Sequence, residues 1–258
     1  MTKLILMILI LILLILILLI LVIGSKKNIE KFESNKSKSI TKCYFINLDK
    51  HKKRKIYMEE QFNQTNLDCI RFNGFDKNLL TDKKIKELKK KNLISEDYYP
   101  HKSSYGSICC LLAHTNLYKQ IKNNFKSGYF LIFEDDCKIL PKFNKKLERY
   151  IKTLPTDWDM AWLGYNNIKG KKINEDWWKP KQGFFSGCNS QHHCYLLNYK
   201  FIDKVLKILL PINKSFINKD MIFRKNFDKF NGYFLKERLA IQDTNEFPIS
   251  ERTGRKNG

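Results

Sequence analysis

Apolar positions along the chain fall into three patterns. Leu4 to Ile23 is an unbroken run of Leu, Ile, Val and Met. At about 1.5 Å per residue, a helix of that length crosses a hydrocarbon core of ~30 Å, which predicts a transmembrane anchor over 1–24. A cleaved signal peptide is the competing reading, since Gly24 and Ser25 follow the run. The length favours the uncleaved anchor, because a signal h-region is only about 7–15 residues. Shorter continuous apolar runs predict strands at 43–48, 69–72, 129–133, 160–164 and 194–197. One-faced helical spacing predicts helices at 52–62, 81–92, 107–123, 144–152 and 201–210, the last stopped by Pro211. Strands alternating with helices argue for a parallel-dominated α/β sheet. The polar stretch 25–41 has no apolar period and reads as a flexible stem. The domain is expected over 42–252, followed by a disordered tail at 253–258.

Charge changes this picture little. The formal net charge is +22, a balance that invites nucleic acid or an anionic surface as partner. The lysines, however, are spread from Lys26 to Lys256 rather than massed on one segment, so a solvated lysine-rich surface is the simpler account and no nucleic-acid partner is expected. Lys26, Lys27, Lys31, Lys36 and Lys38 follow the apolar run, against Lys3 before it, and the positive-inside bias would hold the domain in the cytoplasm. Asn35-Lys36-Ser37, Asn63-Gln64-Thr65 and Asn213-Lys214-Ser215 fit glycosylation acceptors, which would favour a lumenal domain. The side of the membrane stays open. Seven cysteines with no C-x-x-C spacing read as buried free thiols, Cys43 among them, rather than as a disulfide framework or a zinc site.

Candidate chemistry begins at Glu134-Asp135-Asp136, which directly follows the apolar run 129–133. The carboxyl end of a buried strand opens on the crevice where α/β sheets bind ligands. Clustered carboxylates repel one another unless they are solvated or neutralised, and a hard divalent cation shared with phosphate oxygens would do the latter. Taken alone, the triplet is better described as a solvated acidic turn or helix start. From the strand's alternation, Glu134 and Asp136 are expected to face the ligand, and Asp135 to point the other way. Trp177-Trp178 and Phe184-Phe185 lie in a stretch rich in Lys, Gly and Pro that reads as a loop, with sugar contact favoured over burial.

The neighbours of the triplet carry a resemblance. Ile46-Asn47-Leu48-Asp49 with Arg54, then Arg71 to Asp76, then Gly106 to His114, then Leu131 to Asp136, then Asp157 to Gly164 occur in the order of motifs in glycosyltransferase family 25. That family includes lipooligosaccharide and procollagen galactosyltransferases. The helix segment resembles G-x-x-G-C-x-x-S-H, the triplet L-x-x-E-D-D, and 157–164 resembles D-W-D-x-x-x-L-G. His193 to Leu197, Asp220, Gln242 and Ser250 match the last third more loosely. Cys109, Ala113 and Glu251-Arg252 depart from the pattern.

The resemblance implies an A-type glycosyltransferase fold, Rossmann-like with a mostly parallel sheet, after the one transmembrane helix. It also implies a UDP-sugar donor, Mn2+ (or Mg2+), inversion at the anomeric carbon, a glycan or protein acceptor, and a lumenal domain. Inversion by direct displacement requires one general base. Asp220 is the first candidate and Asp159 the second. Asn47, Arg54, His114, Glu134, Asp135 and Gln242 are the expected substrate contacts, and Glu134, Asp136 and His193 the expected metal ligands. Two alternatives are a degenerate member of the family, to which Ala113 and Glu251-Arg252 lend support, and a membrane-tethered basic binding module.

Overall fold

The computed structural model describes residues 15–19, 39–181, 191–214 and 218–248. The chain divides into two units, Met1–Ser39 and Ile40–Gly258. In the first, 15–19 are helical; the remainder of the expected anchor and nearly all of the stem lie outside the described residues, as do the tail, Phe184-Phe185 and Ser250 to Arg252. Among the described residues, no helix is long and apolar enough to cross a membrane.

The second unit opens with β1 (Lys42–Asn47), α1 (Lys52–Thr65) and β2 (Cys69–Asn73), continues through α2 (Asp82–Lys90) and α3 (Tyr105–Asn124), and returns to the sheet as β3 (Tyr129–Glu134). Then follow β4 (Cys137–Ile139), α4 (Phe143–Thr153), β5 (Met160–Gly164), β6 (Gly170–Lys172), β7 (Trp177–Pro180), β8 (Cys194–Asn198), α5 (Ile202–Leu209), α6 (Lys219–Lys225), β9 (Gly232–Leu235) and β10 (Ala240–Gln242). Local chemistry sets the helix ends. Thr81 caps α2 by accepting from the Lys84 N–H at 3.2 Å, with Asp82 in the first turn and Lys89 and Lys90 in the last, as the helix dipole favours. Asn66 ends α1 in the left-handed conformation, φ 51°, which asparagine tolerates better than most residues.

The strands form one mixed sheet in the order β2-β1-β3-β8-β5-β9-β7-β6. The β1–β2, β1–β3 and β5–β9 pairs are parallel, whereas β8 runs antiparallel to both β3 and β5. The chain leaves β1 toward β2 and comes back on the other side as β3, so a topological switch point lies between β1 and β3.

Alternation divides the core into two layers. Phe130 and Ile132 of β3, Tyr195 and Leu197 of β8, and Met160 and Trp162 of β5 pack with α2, α3, α5 and α6. Leu131 and Phe133, Cys194 and Leu196, and Ala161 and Leu163 pack on the opposite face with α1 and α4. Covering on both faces is why these strands read as unbroken apolar runs.

Two expectations are corrected here. Cys43 and Cys69 are not free thiols; the parallel register of β1 and β2 sets them opposite each other, with Cα atoms 4.4 Å apart, and they form a disulfide. Cys109, Cys137 and Cys194 are buried free thiols. Trp177-Trp178 is not loop but the start of β7. Trp177 is fully buried, its indole N–H donating to Tyr150 O at 3.1 Å. Satisfying that one polar atom lets the ring join the core, which removes Trp177 from contact with any sugar.

Candidate active site

The carboxyl ends of β1, β2 and β3 and the amino end of the reversed β8 meet at one edge of the sheet. There they line a cleft of about 210 Å3 together with α3, the start of α6 and the end of β10. The cleft sits at the switch point. Asn47, Arg54, His114, Glu134, Asp135, Asp136, His193, Asp220 and Gln242 all line it, so nine of the ten expected site residues are brought together. Asp159 is not among them. It lies just before β5, at the opposite end of that strand, where its carboxylate accepts from the Asn231 N–H at 2.9 Å.

The three acids of the triplet all face the cleft and differ in their partners. The alternation expected from a strand fails because β3 ends at Glu134 and the next two residues form a turn. Asp135 therefore does not point away. Asn47 Nδ2 and Arg54 Nη1 each donate to it at 2.8 Å. Asn47 is in turn held by Arg71 Nε at 2.8 Å, and the Arg54 guanidinium lies 4.7 Å from the centre of the Phe247 ring.

Glu134 meets a cation of the chain itself. Lys219 Nζ, on the first residue of α6, donates to Glu134 Oε1 at 2.7 Å and to His114 Nε2 at 2.9 Å. An ammonium only donates, so Nε2 is the unprotonated nitrogen and Nδ1–H donates to the Tyr195 hydroxyl oxygen at 2.7 Å. That hydroxyl in turn lies 2.7 Å from the Tyr118 hydroxyl. Burial, followed by the charge of Lys219, pushes the His114 pKa down to about 4 and keeps the ring neutral. Burial alone would raise Glu134, but the Lys219 ammonium outweighs it and holds the carboxyl well below the ordinary range. Lys219 is raised in return, the attraction of Glu134 outweighing its own burial.

Asp136 is less well satisfied. Gln242 Nε2 donates to its Oδ2 at 2.9 Å, while Oδ1 is buried without a hydrogen-bond partner. Burial first, then the charges of Glu134 and Asp135, push its pKa up to about 6, against the opposing pull of Arg54 and Gln242. His193 offers a second orphan. Its Nε2 faces Ala240 O at 3.4 Å, which places the proton there and leaves the buried Nδ1 without a partner. Burial lowers its pKa to about 4, so the ring is neutral. Gly164 makes room for it: a Cβ at that position would stand 2.7 Å from His193 Cδ2. A register shift between Trp162 and Gly164 lies beside it, as bulges often do next to sites. A buried carboxylate oxygen and an imidazole nitrogen, both unpartnered in one cleft, suit a divalent ion. Glu134 fits that role less well than expected, because Lys219 already neutralises it.

Asp220 lines the cleft with both oxygens engaged, Oδ2 accepting from the Gln191 N–H at 2.8 Å and Oδ1 lying 3.2 Å from His192 Nδ1. Lys219 was missed from the sequence, being one of 48 basic residues with nothing to single it out. Its one signal is adjacency to Asp220.

A mixed α/β sheet with a cleft of acids, imidazoles and a buried ammonium at its switch point defines a ligand-binding α/β protein with a strongly polar site. Residues 40–242 match glycosyltransferase family 25 (LPS biosynthesis protein). The chain belongs to that family. It is similar to a glycosyltransferase 25 family member of Anopheles gambiae, 23% identical over 59% of this chain and 26% of the relative. A family member of Drosophila melanogaster is 26% identical over 55% and 24%. Procollagen galactosyltransferase 1-A of Xenopus laevis is 25% identical over 51% and 22%. The chain thus spans about a quarter of the length of these curated relatives. Among solved structures, it aligns with a glycosyltransferase involved in the glycosylation of the major capsid of PBCV-1 at a TM-score of 0.43 and 10% identity, over 83% of this chain and 95% of that one.

Proposed function

We propose that the chain is a metal-dependent, inverting hexosyltransferase that moves galactose or glucose from a UDP-sugar to a hydroxyl of a glycan or protein. The observation that carries this reading is the pair of unpartnered buried atoms, Asp136 Oδ1 and His193 Nδ1, in a cleft at the switch point of the sheet. Asp136 and His193 would hold the ion, Mn2+ being favoured over Mg2+ by the imidazole. The chemistry such an ion supplies is neutralisation of charge on the departing diphosphate. Gln242 orients Asp136 through Oδ2, and Asn47 with Arg54 fixes Asp135 at the lip of the cleft. Asp220 is the candidate base: a carboxylate that lines the cleft and can take the proton of an acceptor hydroxyl while the hydrogen bond from the Gln191 N–H fixes its direction. We further propose that the apolar run 4–23 anchors the domain in a membrane.

The test is a screen of nucleotide sugars for manganese-dependent hydrolysis by the full chain and by Asp136→Asn. A loss of about 100-fold or more is expected in the variant. Equal hydrolysis by both proteins would overturn the metal site.

A further inference from the structure

We propose that Glu134 and Lys219 together form a subsite that grips one hydroxyl of the transferred sugar, which makes Lys219 a determinant of which hexose is accepted. This rests on the glycosyltransferase reading above and adds the part of the donor that the pair would recognise.

The argument starts from the valences left over. The hydrogen bond that Glu134 accepts from Lys219 falls on Oε1, and its side chain keeps 30% of its surface open, so Oε2 is an accessible acceptor in the cleft. Lys219 Nζ has three N–H groups; Glu134 and His114 take two, and the residue, with only 4% of its side chain exposed, lines the floor of the same cleft. One acceptor and one donor therefore stand side by side, the complement of a hydroxyl, which donates once and accepts readily. Charge points the same way. A carboxylate, an ammonium and a neutral imidazole sum to zero, so the group has no net attraction for a phosphate and suits a neutral, hydrogen-bonding part of the ligand.

The pair is also held rigidly, as discrimination requires. Tyr118, Tyr195 and His114 form a buried chain of hydrogen bonds that ends on the ammonium. Asn218 caps α6 by accepting from the Asp220 N–H at 2.9 Å, which fixes the backbone at Lys219. Cys110, His114 and Glu134 also place ligand atoms within 4.8 Å of one another, but the ammonium already bridges the last two and occupies the role a shared ion would take.

A site that hydrogen-bonds a substrate hydroxyl rejects the analogue lacking it, because its own polar groups are left unpaired. The experiment measures binding of UDP, UDP-galactose, UDP-glucose and each monodeoxy form of the preferred sugar nucleotide to the full chain with manganese. The variants are Lys219→Arg and the charge-balanced double variant Glu134→Gln/Lys219→Met. The wild type should bind one deoxy form at least about tenfold more weakly than its parent. In the double variant that ratio should fall below about threefold with UDP binding unchanged, and Lys219→Arg should alter it likewise. Undiminished discrimination in either variant overturns the proposal, as does a loss of UDP binding in Lys219→Arg equal to the loss for the sugar nucleotide. Failure of the wild type to bind UDP or either sugar nucleotide instead overturns the donor reading on which the proposal rests.

Discussion

Glu134-Asp135-Asp136 and Asp157-Trp158-Asp159 are alike in composition and each adjoins a core strand, yet the fold uses them in opposite ways. The first follows the carboxyl end of β3; the second precedes β5, whose strand direction matches that of β3. At the amino end, every acid is spent on the fold. Asp157 accepts from the Tyr233 hydroxyl at 2.9 Å and Asp159 from the Asn231 N–H, while Trp158 is buried and its carbonyl accepts from Asn198 Nδ2 at 3.0 Å. At the carboxyl end, an oxygen of Asp136 has no partner, and two of the three acids carry strongly shifted pKa values. Acidity alone does not mark a site; the end of the strand on which it falls decides whether its valences are consumed.

The comparison can be broken most forcefully at Gly164, at the cleft end of β5. Gly164→Ala should displace His193 and weaken manganese binding about 10–100-fold, as loss of support around a metal ligand generally does. Asp159→Asn, at the far end of the same strand, should leave manganese affinity within about threefold, because it touches nothing in the cleft; a calorimetric titration separates the two.

Stability gives a second, somewhat smaller contrast. The Asp136 pKa is raised in the fold from 3.8 to about 6, so its ionised form is penalised above about pH 6 and the penalty vanishes below about pH 4. Without metal, Asp136→Asn should therefore stabilise the protein at neutral pH by on the order of 3 kcal/mol. The gain should fade as pH falls from 6 to 4. Denaturant titrations in chelator at pH 7.5 and pH 4 check this, and a gain independent of pH would refute it.

The smallest expected effect belongs to the amino end. Tyr233→Phe removes the hydrogen bond to Asp157 and should cost about 0.5–1.5 kcal/mol, with hydrolysis of the donor unaltered. Lost activity in that variant would show that the two ends are coupled.

Much of this arrangement was legible beforehand, for identifiable reasons. β3 and β5 are covered on both faces, so they announce themselves as continuous apolar runs, and the acids that follow β3 are placed by that strand alone. Their separate orientations were not legible, since alternation stops where the strand does. β7 was hidden by Lys179 and Pro180, polar or strand-breaking residues tolerated near the sheet's edge, and β9 and β10 are too short to show a period. The disulfide depended on the β1–β2 register, and the partner of Glu134 on a tertiary contact 85 residues away. Gln242 entered only through likeness to the family, and there the structure supplied the reason: its amide holds Asp136.

The reversed strand β8 joins the two regions. His193 immediately precedes it at the cleft, and Asn198 ends it at the far edge, its N–H donating to Asp159 O at 3.0 Å. Its side chains are committed alternately to the two core layers, so a slide by one residue would exchange Tyr195 and Leu197 for Cys194 and Leu196 on opposite faces. Small displacements therefore have nowhere to settle. The location of the imidazole is in effect a digital quantity, latched at the far edge by a motif that never meets the ligand.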